Sequence, residues 1–351
     1  MRKSADLAGL KGYQCKFQEI SAVGKHWKKL GELFFSKWCQ CREYKLSELK
    51  ESMTIDQENS KVIHLKYKMD SKSKLGVGAF GNIYHAYLKE NKQCAALKIT
   101  KEGKNFAEAD NEIEVLQYFS TLPEEERTSI IKIIGFKKGN METNTSANIV
   151  LELGGMNLLA YFQQKIGQNY IYKESIHEGI IKNMLKCAAV AIQQFHKHGI
   201  HLDIKPNNFV IPHGHNLNAP LEFCKLIDFN CSVLTKESKA KKSGKFGVIP
   251  YIPFEFTNKN DVFEVSREID VYSFGVMIYK FMFSPHMIMV NIDIEKFGNG
   301  SLDRIAKACL QNDPKNRPSI QAIISFLEEK CHYFSCEDKE QYSEYQKLCE
   351  D

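Results

Sequence analysis

The chain is short of long apolar runs, of metal-spaced cysteines and of net charge, and each absence removes a class of function. No apolar stretch in its 351 residues approaches the ~20 needed to cross a bilayer, and the first thirty residues lack the apolar core of a secretion signal. An intracellular protein, cytoplasmic or nuclear, with no membrane partner is expected. Its 11 cysteines include no C-x-x-C pair, and Cys39 and Cys41 have no second half nearby to complete a zinc site. An odd number of scattered cysteines without a secretion signal reads as free thiols. Net charge is only +5, and 236–245 is the one locally basic stretch, so no nucleic-acid partner is expected. Hydrophobic content of 43% with 26% charged residues is that of an ordinary globular chain.

What the chain does contain is a stretch whose polar residues are spaced for chemistry rather than packing. In His201–Val210, HLDIKPNNFV, Asp203 is followed closely by Lys205 and Asn208, and Pro206 fixes the turn between them. One short loop can thus aim a carboxylate, an ammonium and an amide at a common point. Phosphoryl transfer uses such a set. The carboxylate takes the proton of the attacking hydroxyl, the cation holds the moving phosphoryl oxygens, and the amide oxygen binds a metal. The amphipathic run Ile180–Gly199 ahead of the loop reads as a helix ending at its glycine.

Further upstream, Gly76, Gly78 and Gly81 fit G-x-G-x-x-G, a pattern also found in dinucleotide folds. A dinucleotide fingerprint runs straight into a helix. Here Asn82–Tyr87 alternates aromatic and β-branched residues and reads as a strand, so the glycines form a hairpin tip. The apolar strand CAALKI carries Lys98, which needs a partner there. Glu112 and Glu114 compete for that place, and about 200° apart on a helix only one can face inward. Ile113 and Leu116 border Glu112 with apolar surface and favour it. IIKIIGF and NIVLEL read as two more strands.

Taken in order, these segments resemble the eukaryotic protein kinases, whose catalytic loop reads H-R-D-x-K-x-x-N. The resemblance covers residues 69–330 and implies an α+β, bilobal fold with a small β-rich N-lobe, 69–153, and a larger, mainly helical C-lobe, 154–330. It implies ATP, Mg2+ and protein substrates. By that resemblance Asp203, Lys205 and Lys98 are catalytic. Gly76, Val77, Gly78, Gly81, Ile83, Ala96, Lys98, Glu112 and Leu151 surround ATP, with the hinge backbone of Glu152 and Leu153 on the adenine edge. Asn208 and Asp228, the latter in LIDFN, hold magnesium. Glu255, Asp270 and Arg317 are structural supports, with Asp270 capping the catalytic-loop backbone and Arg317 pairing with Glu255. Residues 1–68 form an extension, in which Trp27, Leu30, Leu33, Phe34 and Trp38 recur at helical spacing and suit packing on the domain or on a protein partner. Residues 331–351 read as a charged, peripheral tail.

The sequence departs from the family pattern at three positions. Leu202 replaces the arginine of H-R-D, removing the cation that usually receives an activation-loop phosphate. Asn230 replaces the glycine of D-F-G, a change eased by asparagine's tolerance of left-handed backbone, and Phe254 replaces the proline of A-P-E. Lys205-Pro206 suits the Ser/Thr type. HGIHLDIKPNNFVI and LELGGMNLLAYFQQK are similar to the dual-specificity monopolar-spindle checkpoint kinases. A casein kinase one-like enzyme and a nucleotide-binding pseudokinase scaffold are the alternative readings. The presence of Lys98, Asp203 and Asp228 together favours an active enzyme.

Overall fold

Most strand residues lie upstream of residue 154 and most helices downstream of it. The computed structural model describes residues 45–337 apart from 57–61, 79, 102–105, 141, 168–173, 245, 254–255, 257–261, 284–291 and 295–296. Strands β1 (Glu51–Asp56), β2 (Val62–Tyr67), β3 (Lys74–Val77), β4 (Gly81–Leu88), β5 (Gln93–Thr100), β6 (Ile133–Lys137) and β7 (Asn148–Glu152) form one antiparallel sheet. Its order is β1-β2-β4-β5-β7-β6, with β3 paired to β4. Helix α1 (Phe106–Thr121) turns Ile113, Leu116 and Phe119 into the same core as Ala96, Ile149 and Leu151.

The sheet begins before residue 69. Strands β1 and β2 bury Ile55, Ile63 and Leu65 against Ala86, Leu97 and Val150, and Leu49 packs with Cys94 and Leu153. The described part of the extension is therefore built into the small lobe. Two short amphipathic strands carry little signal until a partner strand shows which face is covered. The helical pattern of Trp27–Trp38 lies outside the described residues.

Downstream of residue 154 helices predominate. The elements are β8 (Gly154–Asn157), α2 (Leu158–Ile166), α3 (Glu174–His196), β9 (Gly199–Ile200), β10 (Phe209–Pro212), β11 (Lys225–Leu226), β12 (Val233–Leu234), β13 (Lys239–Ser243), β14 (Val262–Ser266), α4 (Arg267–Phe283), α5 (Ser301–Cys309) and α6 (Ile320–Leu327). Helix α4 is apolar around most of its circumference and is buried accordingly. The small sheet β11-β10-β8 lines the C-lobe side of the cleft.

The segment after residue 330 is less peripheral than its charge suggests. Cys331 and Phe334 are buried, Phe334 stacks on Phe326 with ring centroids 4.6 Å apart, and Arg304 pairs with Glu337 at 2.7 Å. A few apolar residues in a charged run suffice to dock it, because hydrophobic gain follows buried area and not average composition. Cys187, Cys224, Cys231, Cys309 and Cys336 are free, whereas Cys331 is disulfide-bonded, which corrects the all-thiol reading at that position.

Candidate active site

Between β9 and β10 the chain leaves sheet pairing, so its buried N–H groups need other acceptors. Asp270, fully buried on α4, supplies them. Its carboxylate accepts the N–H of His201 and of Leu202, each at 2.8 Å, and lies 2.9 Å from His196 Nε2. Leu202 stands in left-handed backbone, φ 66°. The loop is thus held from below, with the next residue, Asp203, turned to the cleft.

Asp203 Oδ2 accepts from Lys205 Nζ at 2.6 Å and from Asn208 Nδ2 at 2.9 Å, and the same Nδ2 donates to the Asp203 carbonyl at 2.8 Å. Its other oxygen, Oδ1, is buried and has no hydrogen-bond partner among the described residues. Burial pushes the Asp203 carboxyl above its ordinary value, and Lys205 opposes the shift. The His201 imidazole is pushed down by burial, so it stays neutral against Asp270.

Lys98 projects from β5. Its Nζ lies 2.6 Å from Glu112 Oε2 and 2.6 Å from Asp228 Oδ1, while Glu114 faces solvent. Burial alone would lower the lysine, but two carboxylates reverse this and hold it well above its ordinary value. Asp228 is pushed up by burial and held below the usual carboxylate range by the stronger pull of Lys98. Glu112, with almost no exposure, is raised by burial despite the same ammonium. A single cation serves two carboxylates.

Register places the residues expected to line the nucleotide. Ile83 faces Lys98 across β4–β5, and Ala96 faces Leu151 across β5–β7, so all four share one face of the sheet. Gly81 allows close strand approach, since a Cβ there would lie 2.4 Å from the Ile99 carbonyl. A Cβ on Gly76 or Gly78 would meet nothing nearer than 3.6 Å, and Val77 between them is 72% exposed. The Glu152 side chain also acts. Its Oε1 accepts the Lys132 N–H at 2.8 Å and pairs with Lys225 Nζ at 2.5 Å, tying the hinge to β11. Leu153 turns outward onto Leu46, Leu49 and Cys94.

Asn208 and Asp228 come together through the backbone, because the Asn208 carbonyl accepts the Ile227 N–H at 2.9 Å. Asp228 takes the left-handed position, φ 70°, and Asn230 does not. This corrects the expected reason for tolerating asparagine: residue 230 lies in a 3-10 turn, Phe229–Cys231, whose backbone does not call for a left-handed conformation. Phe229 is buried in a stack with Phe195, 5.3 Å, and edge-on to His201, 5.3 Å.

Two residues escaped sequence reasoning. Asn111, beside Glu112, donates from Nδ2 toward the carbonyls of Phe229, Asn230 and Ser232 at 3.0, 3.2 and 3.0 Å. It clamps the Asp228 turn to α1. Gly247, φ 62°, brings its backbone so close to the Leu202 carbonyl that a Cβ would lie 2.9 Å away. Neither carries a spacing signal, because both act on backbone from a distant segment.

Leu202 itself sits in an apolar cluster with Ile200, Cys231, Phe246, Phe263, Val265 and Ile269. The activation segment is thereby fastened to the catalytic loop by packing. Its hairpin β13–β14 carries the lysine run, with Lys239 paired to Glu264 at 2.6 Å. Glu255 and Phe254 lie outside the described residues. Arg317 donates to the carbonyls of Gln311 at 2.9 Å and Glu268 at 3.2 Å and stacks over Tyr272.

The family description "Protein kinase domain" matches residues 69–327, most of the chain. The chain belongs to the protein kinase domain family. Among similar proteins, calcium-dependent protein kinase 22 of Arabidopsis thaliana is 32% identical over 219 residues, 58% of this chain and 38% of the relative. Serine/threonine-protein kinase MPS1 of Encephalitozoon cuniculi is 23% identical over 269 residues, 72% of this chain and 41% of the relative. Dual specificity protein kinase TTK of Mus musculus is 25% identical over 282 residues, 72% of this chain and 30% of the relative. In each case this kinase chain spans less than half of the relative's length. No helix among the described residues is long and apolar enough to cross a membrane.

Proposed function

We propose that the chain is an ATP- and magnesium-dependent protein kinase acting on Ser and Thr hydroxyls of protein substrates. The observation that carries this reading is the buried Asp203 Oδ1, an acceptor left without a partner among the described residues while Oδ2 is held by Lys205 and Asn208. An orphaned acceptor of this kind suits a substrate hydroxyl. The hydroxyl oxygen forms a bond to the γ-phosphorus as the bond from that phosphorus to the bridging oxygen breaks. Asp203 takes the hydroxyl proton and ADP leaves. Lys205 steadies the transferring oxygens, and Lys98 holds the nucleotide's phosphates through its charge.

The residues present fit both implied groups. The space over Gly76 and Gly78 would accept a Cβ yet carries none, as a phosphate cradle requires. Asn208 and Asp228 offer the hard oxygen donors that magnesium prefers. Held by those two side chains, magnesium would supply charge neutralisation for the phosphates. Ile83, Ala96 and Leu151 offer the apolar face for adenine, with the backbone of Glu152 and Leu153 on its polar edge.

The resemblance to MPS1 and TTK supports a finer reading, in which the enzyme also phosphorylates tyrosine and serves spindle-checkpoint signalling, with the N-terminal extension as the contact to a protein partner. The test is transfer from radiolabelled ATP with magnesium to a generic protein substrate, followed by phosphoamino-acid analysis. Phosphoserine or phosphothreonine that disappears in Asp203→Asn is the expected result. Nucleotide binding without any transfer would make the chain a pseudokinase scaffold. Phosphotyrosine in the hydrolysate decides the dual-specificity question.

A further inference from the structure

Asn230 is an odd residue to bury. Its side chain is 2% exposed, and its Oδ1 has no hydrogen-bond partner among the described residues, a cost that the family's glycine would avoid. The backbone does not require it, because φ at residue 230 is not positive. What the side chain does is donate. Its Nδ2 lies 3.0 Å from Asp228 Oδ1. A carboxylate offers only acceptors, so the amide nitrogen must face it and the amide oxygen is the atom left over.

Both donors to Asp228 bind the same oxygen. Lys98 Nζ reaches Oδ1 at 2.6 Å and Asn230 Nδ2 reaches it at 3.0 Å. Among the described residues no donor reaches Oδ2, and Asp228 keeps 24% of its side chain exposed. Two donors on one side fix the carboxylate's rotation about its last bond and present the opposite oxygen. Once a nucleotide draws the Lys98 charge to its phosphates, Asn230 is the donor that stays with Oδ1.

We infer that Asn230 is a positioning residue of the magnesium site, holding Asp228 Oδ1 through its amide so that Oδ2 faces the cation. This rests on the kinase reading above. It assigns the asparagine a task that a glycine cannot perform, and it places the effect on metal affinity rather than on nucleotide affinity or folding.

The test is calorimetric binding of ADP to the full chain across a magnesium titration, and again in EDTA, for wild type, Asn230→Gly and Asn230→Asp. Losing a hydrogen bond to a charged group is expected to raise the half-saturating magnesium concentration about tenfold in Asn230→Gly. ADP affinity in EDTA should be unchanged and the melting temperature within a degree or two of wild type. Asn230→Asp loses the same donor but adds a negative charge that itself attracts the cation, so its magnesium requirement should rise less than that of Asn230→Gly. An unshifted magnesium requirement in Asn230→Gly overturns the inference alone. So does an equal loss of ADP affinity in EDTA, which would mark a general structural role. A wild-type chain whose ADP binding ignores magnesium overturns the inference and the proposed function together.

Discussion

The ammonium of Lys98 stands 2.6 Å from Asp228, a residue 130 positions away, while also touching Glu112 at 2.6 Å. The sheet, the helix and the Asp228 turn therefore meet at one charge. Replacing Lys98 by Met should abolish transfer and also lower stability, because it leaves Glu112 and Asp228 without their buried counter-ion, at a cost of about 3–5 kcal/mol. Lys98→Met combined with Glu112→Gln should regain much of the stability and none of the activity. Initial rates and thermal unfolding on the two variants check this.

Asp203 and Asp228 should fail differently. Asp203→Asn removes the group that acts on the hydroxyl, so kcat should fall by orders of magnitude with little change in KM for ATP. Asp228→Asn should weaken magnesium and nucleotide binding together. Identical kinetic profiles for the two variants would contradict the division of roles.

The Asp203 carboxyl is raised by burial, which fixes the sign of a pH effect. The base must be ionised to accept a proton, so kcat should fall as pH drops through a value above the ordinary carboxylate range. Its folded-state pKa exceeds the unfolded one, so burial of this group costs stability at neutral pH and the cost vanishes in acid. Lys205→Ala removes the opposing charge and should move the acid limb to still higher pH. A limb that stays put in that variant would show that another group controls it.

Asn111 spans from α1 to three carbonyls of the Asp228 turn. Asn111→Asp keeps the size but brings a negative charge against carbonyl oxygens. It should lower kcat/KM for ATP at least tenfold while leaving far-ultraviolet circular dichroism unchanged. A near-normal rate would confine Asn111 to a passive role.

Leu202 has only 2% exposure and lies in the cluster that includes Phe246 and Phe263. This packing holds the segment without a phosphate on Thr235, Ser238 or Ser243 if it is sufficient by itself, which phosphatase treatment decides. Phosphatase-treated enzyme should retain activity within about tenfold of the phosphorylated form, a difference of ~1.4 kcal/mol. Leu202→Ala should instead cost about 2–5 kcal/mol of stability and reduce activity in both forms. A thousandfold drop on dephosphorylation, verified by mass spectrometry, would require a cation that reads the phosphate.

The sequence alone determined the residues whose identity is chemistry. Asp203, Lys205 and Asn208 stand within one short loop, and a loop that short forces its polar groups together wherever the fold places it. The preference for Glu112 over Glu114 was equally local, since helical geometry allows only one of them to face an apolar neighbour. The two lobes, by contrast, were expected from the family resemblance and not from local spacing. Other features belonged to tertiary structure. β1 and β2 joined the sheet because β4 offered an edge, and Phe334 docked because Phe326 was there to stack on. Asn111, Gly247 and Asn230 gained their roles only when remote backbone or a remote carboxylate arrived within hydrogen-bond or van der Waals reach. Hydrogen bonds and close packing depend on distance in space, and residue spacing along the chain encodes that distance only within a turn, a strand pair or a helix.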